Sequence, residues 1–100
     1  MRTISADELP VPVLETSYML GKLISGTRKA LGLSQQVLSE RANVGRSTLV
    51  EIEHGSPKVQ FVYWLLVLEE LGLIDTLTKG VSATSLGLLA TAVPRSRERR

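Results

Sequence analysis

Four side chains suited to reading the edges of DNA base pairs lie close together in the chain: Arg46, Ser47, Val50 and Glu51. An arginine can bond to guanine O6 and N7 with about 1–3 kcal/mol of discrimination, and a carboxylate can accept from cytosine N4. A valine can contact a thymine methyl group in the same groove. On one helix, these four residues would occupy an outward face of the first turn and a half. Taken alone, the pattern also fits a solvated helix face.

Catalytic and metal chemistry have little support in the sequence. There are no cysteines, which excludes a disulfide framework, a thiol nucleophile and cysteine-based zinc sites. His54 is the single histidine, and it has no nucleophile or orienting partner at a recognisable spacing. We therefore expect no enzyme activity, no metal and no cofactor. His54 fits a loop residue near a phosphate or an inert loop residue.

Net charge does not by itself indicate a nucleic-acid partner. The chain carries a formal charge of +2, but residues 20–75 contain six basic and six acidic side chains and are neutral. The excess comes from residues 95–100, which hold four arginines and Glu98. This end either contacts phosphates or serves as a solubilising tail. The placement of charge must therefore carry any inference about DNA.

Two short helices joined by three residues are predicted in the middle of the chain. Apolar residues recur at helical spacing from Tyr18, and Gly32 is expected to end this first helix. Ser34 is a plausible N-cap for a second helix, which Asn43 ends by adopting a left-handed turn conformation. A third helix is predicted over residues 46–53. A turn as short as residues 43–45 sets the two helices crosswise, as in a helix-turn-helix.

The flanking segments complete a single small domain with tails. We predict an N-terminal arm at residues 1–17, a helix-turn-helix domain at 18–77 and an apolar segment with an arginine-rich tail at 78–100. Pro10 and Pro12 favour extended backbone in the arm, as an edge strand or polyproline-like segment, although a loose arm fits equally. Residues 59–71 are predicted as a fourth helix, with a buried strand at 61–68 as the alternative. A short fifth helix is predicted at 73–77.

The apolar segments are too short for a membrane protein. The longest apolar run covers residues 61–68, well below the length needed to cross a bilayer. The first residues lack an uninterrupted apolar stretch after a basic start, so we expect no signal peptide. The expected location is cytoplasmic.

The central segment resembles a known family. Residues 33–42 read LSQQVLSERA and residues 43–55 read NVGRSTLVEIEHG. Over about residues 20–75 this is similar to the Cro/C1-type (XRE) helix-turn-helix family, with its pattern L-S-Q-x-x-L-A-x-x-A-G-V-S-x-x-x-(I/L)-x-x-(I/L)-E-x-G. Three positions depart from that pattern. Ser39 replaces an alanine, Asn43 a turn glycine and Gly45 a serine cap.

The resemblance implies an all-α fold, a compact bundle of four to five short helices of the lambda-repressor-like type, and binding to double-stranded DNA. It places Arg46, Ser47 and Glu51 at base-reading positions, with Val50 beside them. It also implies a structural salt bridge between Arg28 and Glu53. The residues expected near DNA phosphates are Gln35, Gln36, Thr48, His54, Ser56 and Lys58.

The fourth helix is apolar on most of its circumference, and such a helix must be covered on several sides. We therefore predict a homodimer interface at Trp64, Leu68, Leu71 and Leu73. The alternative is cover within one chain by residues 1–17 and 86–93. A dimer would suit DNA binding, because two recognition helices one DNA turn apart read a palindrome.

The resulting hypothesis is a sequence-specific, homodimeric transcriptional regulator, most plainly a repressor. The alternative is an antitoxin that binds a toxin protein and represses its own operon. A helix-turn-helix used only for protein contact is a further possibility.

Overall fold

The computed structural model describes residues 8–82, and within that range the chain forms five helices and no strand. Helix α1 spans Val11–Ala30, α2 Gln35–Ala42, α3 Arg46–Glu53 and α4 Phe61–Glu70. Helix α5 covers 74–82, slightly later and longer than predicted. The predicted all-α class is confirmed, and the fourth element is a helix rather than the alternative strand.

The N-terminal segment differs from the prediction. Extended backbone was expected there, but α1 begins at Val11, so that prediction is wrong from this residue onward. Pro10 is the N-cap and Pro12 lies in the first turn, where a helix needs no N–H partner and the fixed φ of proline already fits. The Pro10 carbonyl accepts from the Val13 and Leu14 N–H groups at 3.0 and 3.3 Å. The proline pair therefore starts the helix.

The core lies where α2, α3 and α4 meet and where α1 crosses α3. Its largest fully buried side chains come from α1, α2, α3 and α4, so packing between these four helices stabilises each of them. The buried apolar residues are Ile24, Leu38, Ala42, Val44, Leu49, Ile52, Trp64, Val67, Leu68 and Leu71. Val44, Leu49 and Ile52 of the turn and α3 thus point inward.

Three of the four residues predicted at a dimer interface belong to this core instead. Trp64, Leu68 and Leu71 are only 5%, 2% and 8% exposed, so they are enclosed within one chain. Leu73 is half-buried and packs against the same core. The prediction of these three as contacts between chains is therefore wrong, because helices of the same chain already cover that side of α4. The uncovered side carries Phe61 and Val62, which are 67% and 51% exposed.

Helix α1 packs so closely against the end of α3 that the two backbones are in contact. A Cβ at Gly21 would lie 2.5 Å from the Ile52 carbonyl oxygen, and one at Gly55 would lie 2.6 Å from the Tyr18 Cα. Gly55 also has a φ of 79°, in the region that glycine adopts without strain. This contact fixes the C-terminal end of α3 against α1.

Candidate nucleic-acid interface

The turn between α2 and α3 is built from local signals. The Ser34 hydroxyl accepts from the Val37 N–H at 3.0 Å, which confirms the predicted N-cap of α2. Asn43 ends α2 with a φ of 58°, the left-handed conformation predicted for it. The Val44 N–H then donates to the Ser39 carbonyl at 2.9 Å, so the chain turns at once into α3. The buried Ser39 hydroxyl is satisfied by the Gln36 carbonyl at 2.8 Å.

One face of α3 is anchored in the core and the other is open. Leu49 and Ile52 are fully buried, which fixes the rotation of the helix about its axis. Arg46, Ser47 and Glu51 consequently lie exposed on the opposite face. Val50 is half-buried at the margin of this face. The four residues therefore share one helix surface, as their spacing predicted.

Gly45 caps α3 without contributing a side-chain hydrogen bond. The first N–H groups of the helix accordingly receive no capping side chain, and the positive end of the helix dipole lies beside Arg46. Thr48 is half-buried, with its hydroxyl 3.8 Å from the place that a Cβ of Gly45 would take. The dipole of α3 therefore favours a negative charge near Arg46.

Helix α2 contributes to the same surface through Gln36. This residue and Arg46 line a shallow depression of about 340 Å³ at the turn. The exposed Gln36 amide donates to Glu40 Oε2 at 2.8 Å, and Glu40 lines the depression as well. Glu40 was absent from the predicted site, although its i+4 spacing from Gln36 indicated a pair on one helix face.

A buried ion pair holds α3 to α1. Arg28 Nε donates to Glu53 Oε2 at 2.6 Å and a second guanidinium nitrogen donates to Oε1 at 3.0 Å, so the salt bridge predicted for these residues is present. Arg28 also donates to the Leu33 carbonyl at 2.8 Å. Arg28 and Glu53 are each 8% exposed as whole residues, and the pair therefore joins α1, the following loop and α3 away from solvent.

Gln35 completes this network, since its amide donates to Glu53 Oε1 at 3.0 Å. Gln35 is half-buried at the first position of α2. A contact with a DNA phosphate was predicted for it, whereas in this structure its amide makes this internal hydrogen bond. Burial raises the pKa of Glu53, but hydrogen bonds from Arg28 and Gln35 outweigh it, and the pKa lies below its ordinary value. Glu53 therefore remains ionised at neutral pH.

The loop after α3 lies at the other end of the recognition helix. His54 and Lys58 are exposed, and Ser56 is half-buried. The Lys58 N–H donates to the Ser56 hydroxyl at 3.4 Å, which shapes the turn between them. These three residues lie at the C-terminal end of α3 and do not line the Gln36–Arg46 depression.

Within residues 8–82, no three histidine, aspartate or glutamate side chains are arranged to hold a metal ion. In the same range, no helix combines the length and hydropathy that crossing a bilayer requires.

A short helix pair with a buried anchoring face and an open outer face defines the class of a helix-turn-helix DNA-binding domain. A helix-turn-helix family model matches residues 27–75, from the end of α1 into α5. This segment belongs to the Cro/C1-type helix-turn-helix family, also called the XRE family, and carries a DNA-binding regulatory domain. Searches of curated proteins and of solved structures returned no match.

Proposed function

We propose that this protein is a sequence-specific transcriptional repressor that binds a palindromic operator as a homodimer, with α3 in the major groove. The observation that carries the proposal is the open outer face of α3 next to the Gln36–Arg46 depression. An α-helix with its side chains is about 10–12 Å wide, and the major groove of B-DNA is about 12 Å wide. The exposed face therefore fits the groove.

The base-reading roles follow from side-chain chemistry. Within residues 8–82, Arg46 forms no ion pair, so its guanidinium is available to guanine O6 and N7. Glu51 accepts from cytosine N4 or orients Arg46, because a carboxylate in a phosphate-lined groove otherwise meets repulsion. Ser47 bonds a base edge, and the exposed part of Val50 contacts a thymine methyl group.

Phosphate contacts flank α3 on both sides. Gln36 and Thr48 lie toward its N-terminal end. Gln35 lies beside Glu53 at its C-terminal end, where His54, Ser56 and Lys58 follow. The uncapped start of α3 adds a favourable dipole for a phosphate there. These contacts fix the position of the helix on the duplex but carry no sequence information.

The contact between protomers is assigned to the uncovered side of α4. A cavity of about 420 Å³ is lined by Val62, Leu65, Leu66 and Ile74, with Glu69 as its one charged residue among those described, and Val62 is 51% exposed. An apolar surface of this kind is characteristic of an interaction site. A second copy placed there sets two α3 helices on one duplex, and a dimer bound across a promoter blocks access to it.

DNA selection with the purified chain tests the proposal. A palindromic consensus is expected, and sizing of the complex should show two chains per site. The double variant Arg46→Ala, Glu51→Ala should lose sequence preference. The control Arg41→Ala removes an exposed arginine of α2 that lies outside the depression, and it should retain the preference. Absence of any enriched motif would overturn the proposal.

The dimer has its own test. Val62→Glu should give a monomer in sedimentation and weaken binding to the full palindrome more than to one half-site. Gln60→Glu adds the same charge at the exposed N-cap of α4 and should remain dimeric. Equal behaviour of the two variants would exclude this face. The antitoxin alternative instead expects a second protein to co-purify in fixed ratio.

A further inference from the structure

An apolar groove lies on the side of the domain formed by the first half of α1, the start of α4 and the end of α5. Its volume is about 700 Å³, and none of the residues that line it within the described range 8–82 is charged. Phe61 and Val81 in its wall are 67% and 59% exposed. Exposed apolar surface gathered in one groove is characteristic of an interaction site.

The first half of α1 precedes residues 27–75, the part matched by the helix-turn-helix family. Pro12, Val13, Thr16 and Leu20 come from this extension. The groove is therefore built largely from residues beyond the DNA-binding unit, and among the described residues it shares none with the Gln36–Arg46 depression. An occupant need not compete with DNA.

We propose that residues 86–93 of the same chain occupy this groove. They follow closely on Val81, which lines the groove, and the chain carries no charged residue from Val81 to Val93. Leu86, Leu89 and Val93 recur at the spacing that places apolar side chains on one face of a helix. An uncharged groove and an uncharged apolar segment thus lie next to each other in sequence.

The length of the intervening chain suits this arrangement. Residues 82–86 span at most about 14 Å when extended, which suffices to turn back over the end of α5. A short tether of this kind holds the segment at an effective concentration in the millimolar range. A second copy would have to reach a similar concentration to displace it, so the segment of the same chain is the favoured occupant.

Paramagnetic relaxation in the full-length chain tests the proposal. The chain has no cysteine, so Thr91→Cys accepts a single nitroxide label. The label should broaden the NMR signals of Thr16, Leu20 and Leu77, which line the groove, and the broadening should persist on dilution. The signals of Lys29, at the far end of α1, should be unaffected.

A mixed sample distinguishes contact within one chain from contact between two chains. Isotope-labelled protein without nitroxide is combined with unlabelled protein that carries it. Broadening in this mixture would mean that a second copy fills the groove, which would overturn the proposal. Absence of broadening in both the single-chain sample and the mixture would overturn it as well and would leave a different partner as the occupant.

A matched pair of variants provides the second readout. Leu89→Asp in the labelled chain should abolish the broadening and increase the fluorescence of a dye that binds apolar surface. Ser85→Asp adds the same charge at a polar position before the segment and should change neither signal. Circular dichroism checks that both variants keep the helical domain. Equal effects of the two substitutions would contradict the proposal.

Discussion

Replacing Glu53 by glutamine removes the negative charge from the ion pair that fixes α3 to α1. The substitution keeps the size of the side chain but leaves the Arg28 guanidinium without a counter-charge, and both residues are 8% exposed. Removing one partner of a buried pair typically destabilises a protein by about 3–5 kcal/mol. The free energy of unfolding of a small domain is about 5–15 kcal/mol, so Glu53→Gln should remove a large part of it.

Urea denaturation followed by circular dichroism measures this loss. With a slope of about 1–3 kcal/mol per molar urea, the midpoint should fall by roughly 2 M. The control is Glu51→Gln, the same chemical change on the exposed face of the same helix. Surface substitutions generally stay within about 0.5 kcal/mol, so this control should unfold close to the parent protein.

The pH dependence gives an independent check. The pKa of Glu53 is lower in the folded chain than its ordinary value of 4.5, so folding is favoured by ionisation of this carboxylate. The stabilisation is complete above pH 4.5 and is lost as the pH falls towards the folded pKa. The difference between the parent protein and Glu53→Gln should therefore shrink in acid below that value.

The double variant Arg28→Met, Glu53→Leu tests whether the instability of Glu53→Gln comes from an unpaired buried charge. Replacing a whole buried pair by apolar side chains is often neutral or stabilising, so the double variant should exceed Glu53→Gln in stability. Equal midpoints for Glu53→Gln and Glu51→Gln, or a difference that stays constant into acid, would refute the assignment of this pair as a buried charge contact.

Substitutions at Gly21, Ser34 and Asn43, two of them with a control variant, test the local structure around the site. Gly21→Ala should destabilise the fold because its Cβ would lie 2.5 Å from the Ile52 carbonyl oxygen, whereas Gly26→Ala, with nothing within 4 Å, should stabilise α1 by about 0.5–1 kcal/mol in urea titrations. Ser34→Ala removes the cap of α2 and should cost about 1 kcal/mol, measured as a lower Tm; an unchanged Tm would contradict the capping role. Asn43→Ala should cost about 1–2 kcal/mol because of its positive φ, while Asn43→Gly should be near neutral.

The recognition unit could be predicted from sequence because its determinants are local. The cap at Ser34, the left-handed turn at Asn43 and the stop at Gly55 each act within a few residues. The period of Leu49 and Ile52 fixed which face of α3 is buried, and thereby which face carries Arg46. The Arg28–Glu53 salt bridge was predicted from the family resemblance and not from the spacing of the two residues.

The first turn of α1 shows where local rules were insufficient. Two prolines two positions apart generally favour extended backbone, yet Pro10 and Pro12 fall where a helix has no need of their missing N–H groups. Whether a proline starts a helix or prevents it depends on its position relative to the helix end. That position is set by packing of the following turns against α3.

By itself, the sequence determined the all-α class, the α2–turn–α3 unit and the outward residues of α3, because periodicity and capping are short-range properties. Tertiary structure alone decided that Trp64, Leu68 and Leu71 are covered within one chain, that Gln35 donates to Glu53, and that Gln36 and Arg46 line one depression. An apolar stripe on a helix predicts that this face will be buried, but it does not predict which helix will cover it. That choice depends on contacts between helices distant in sequence.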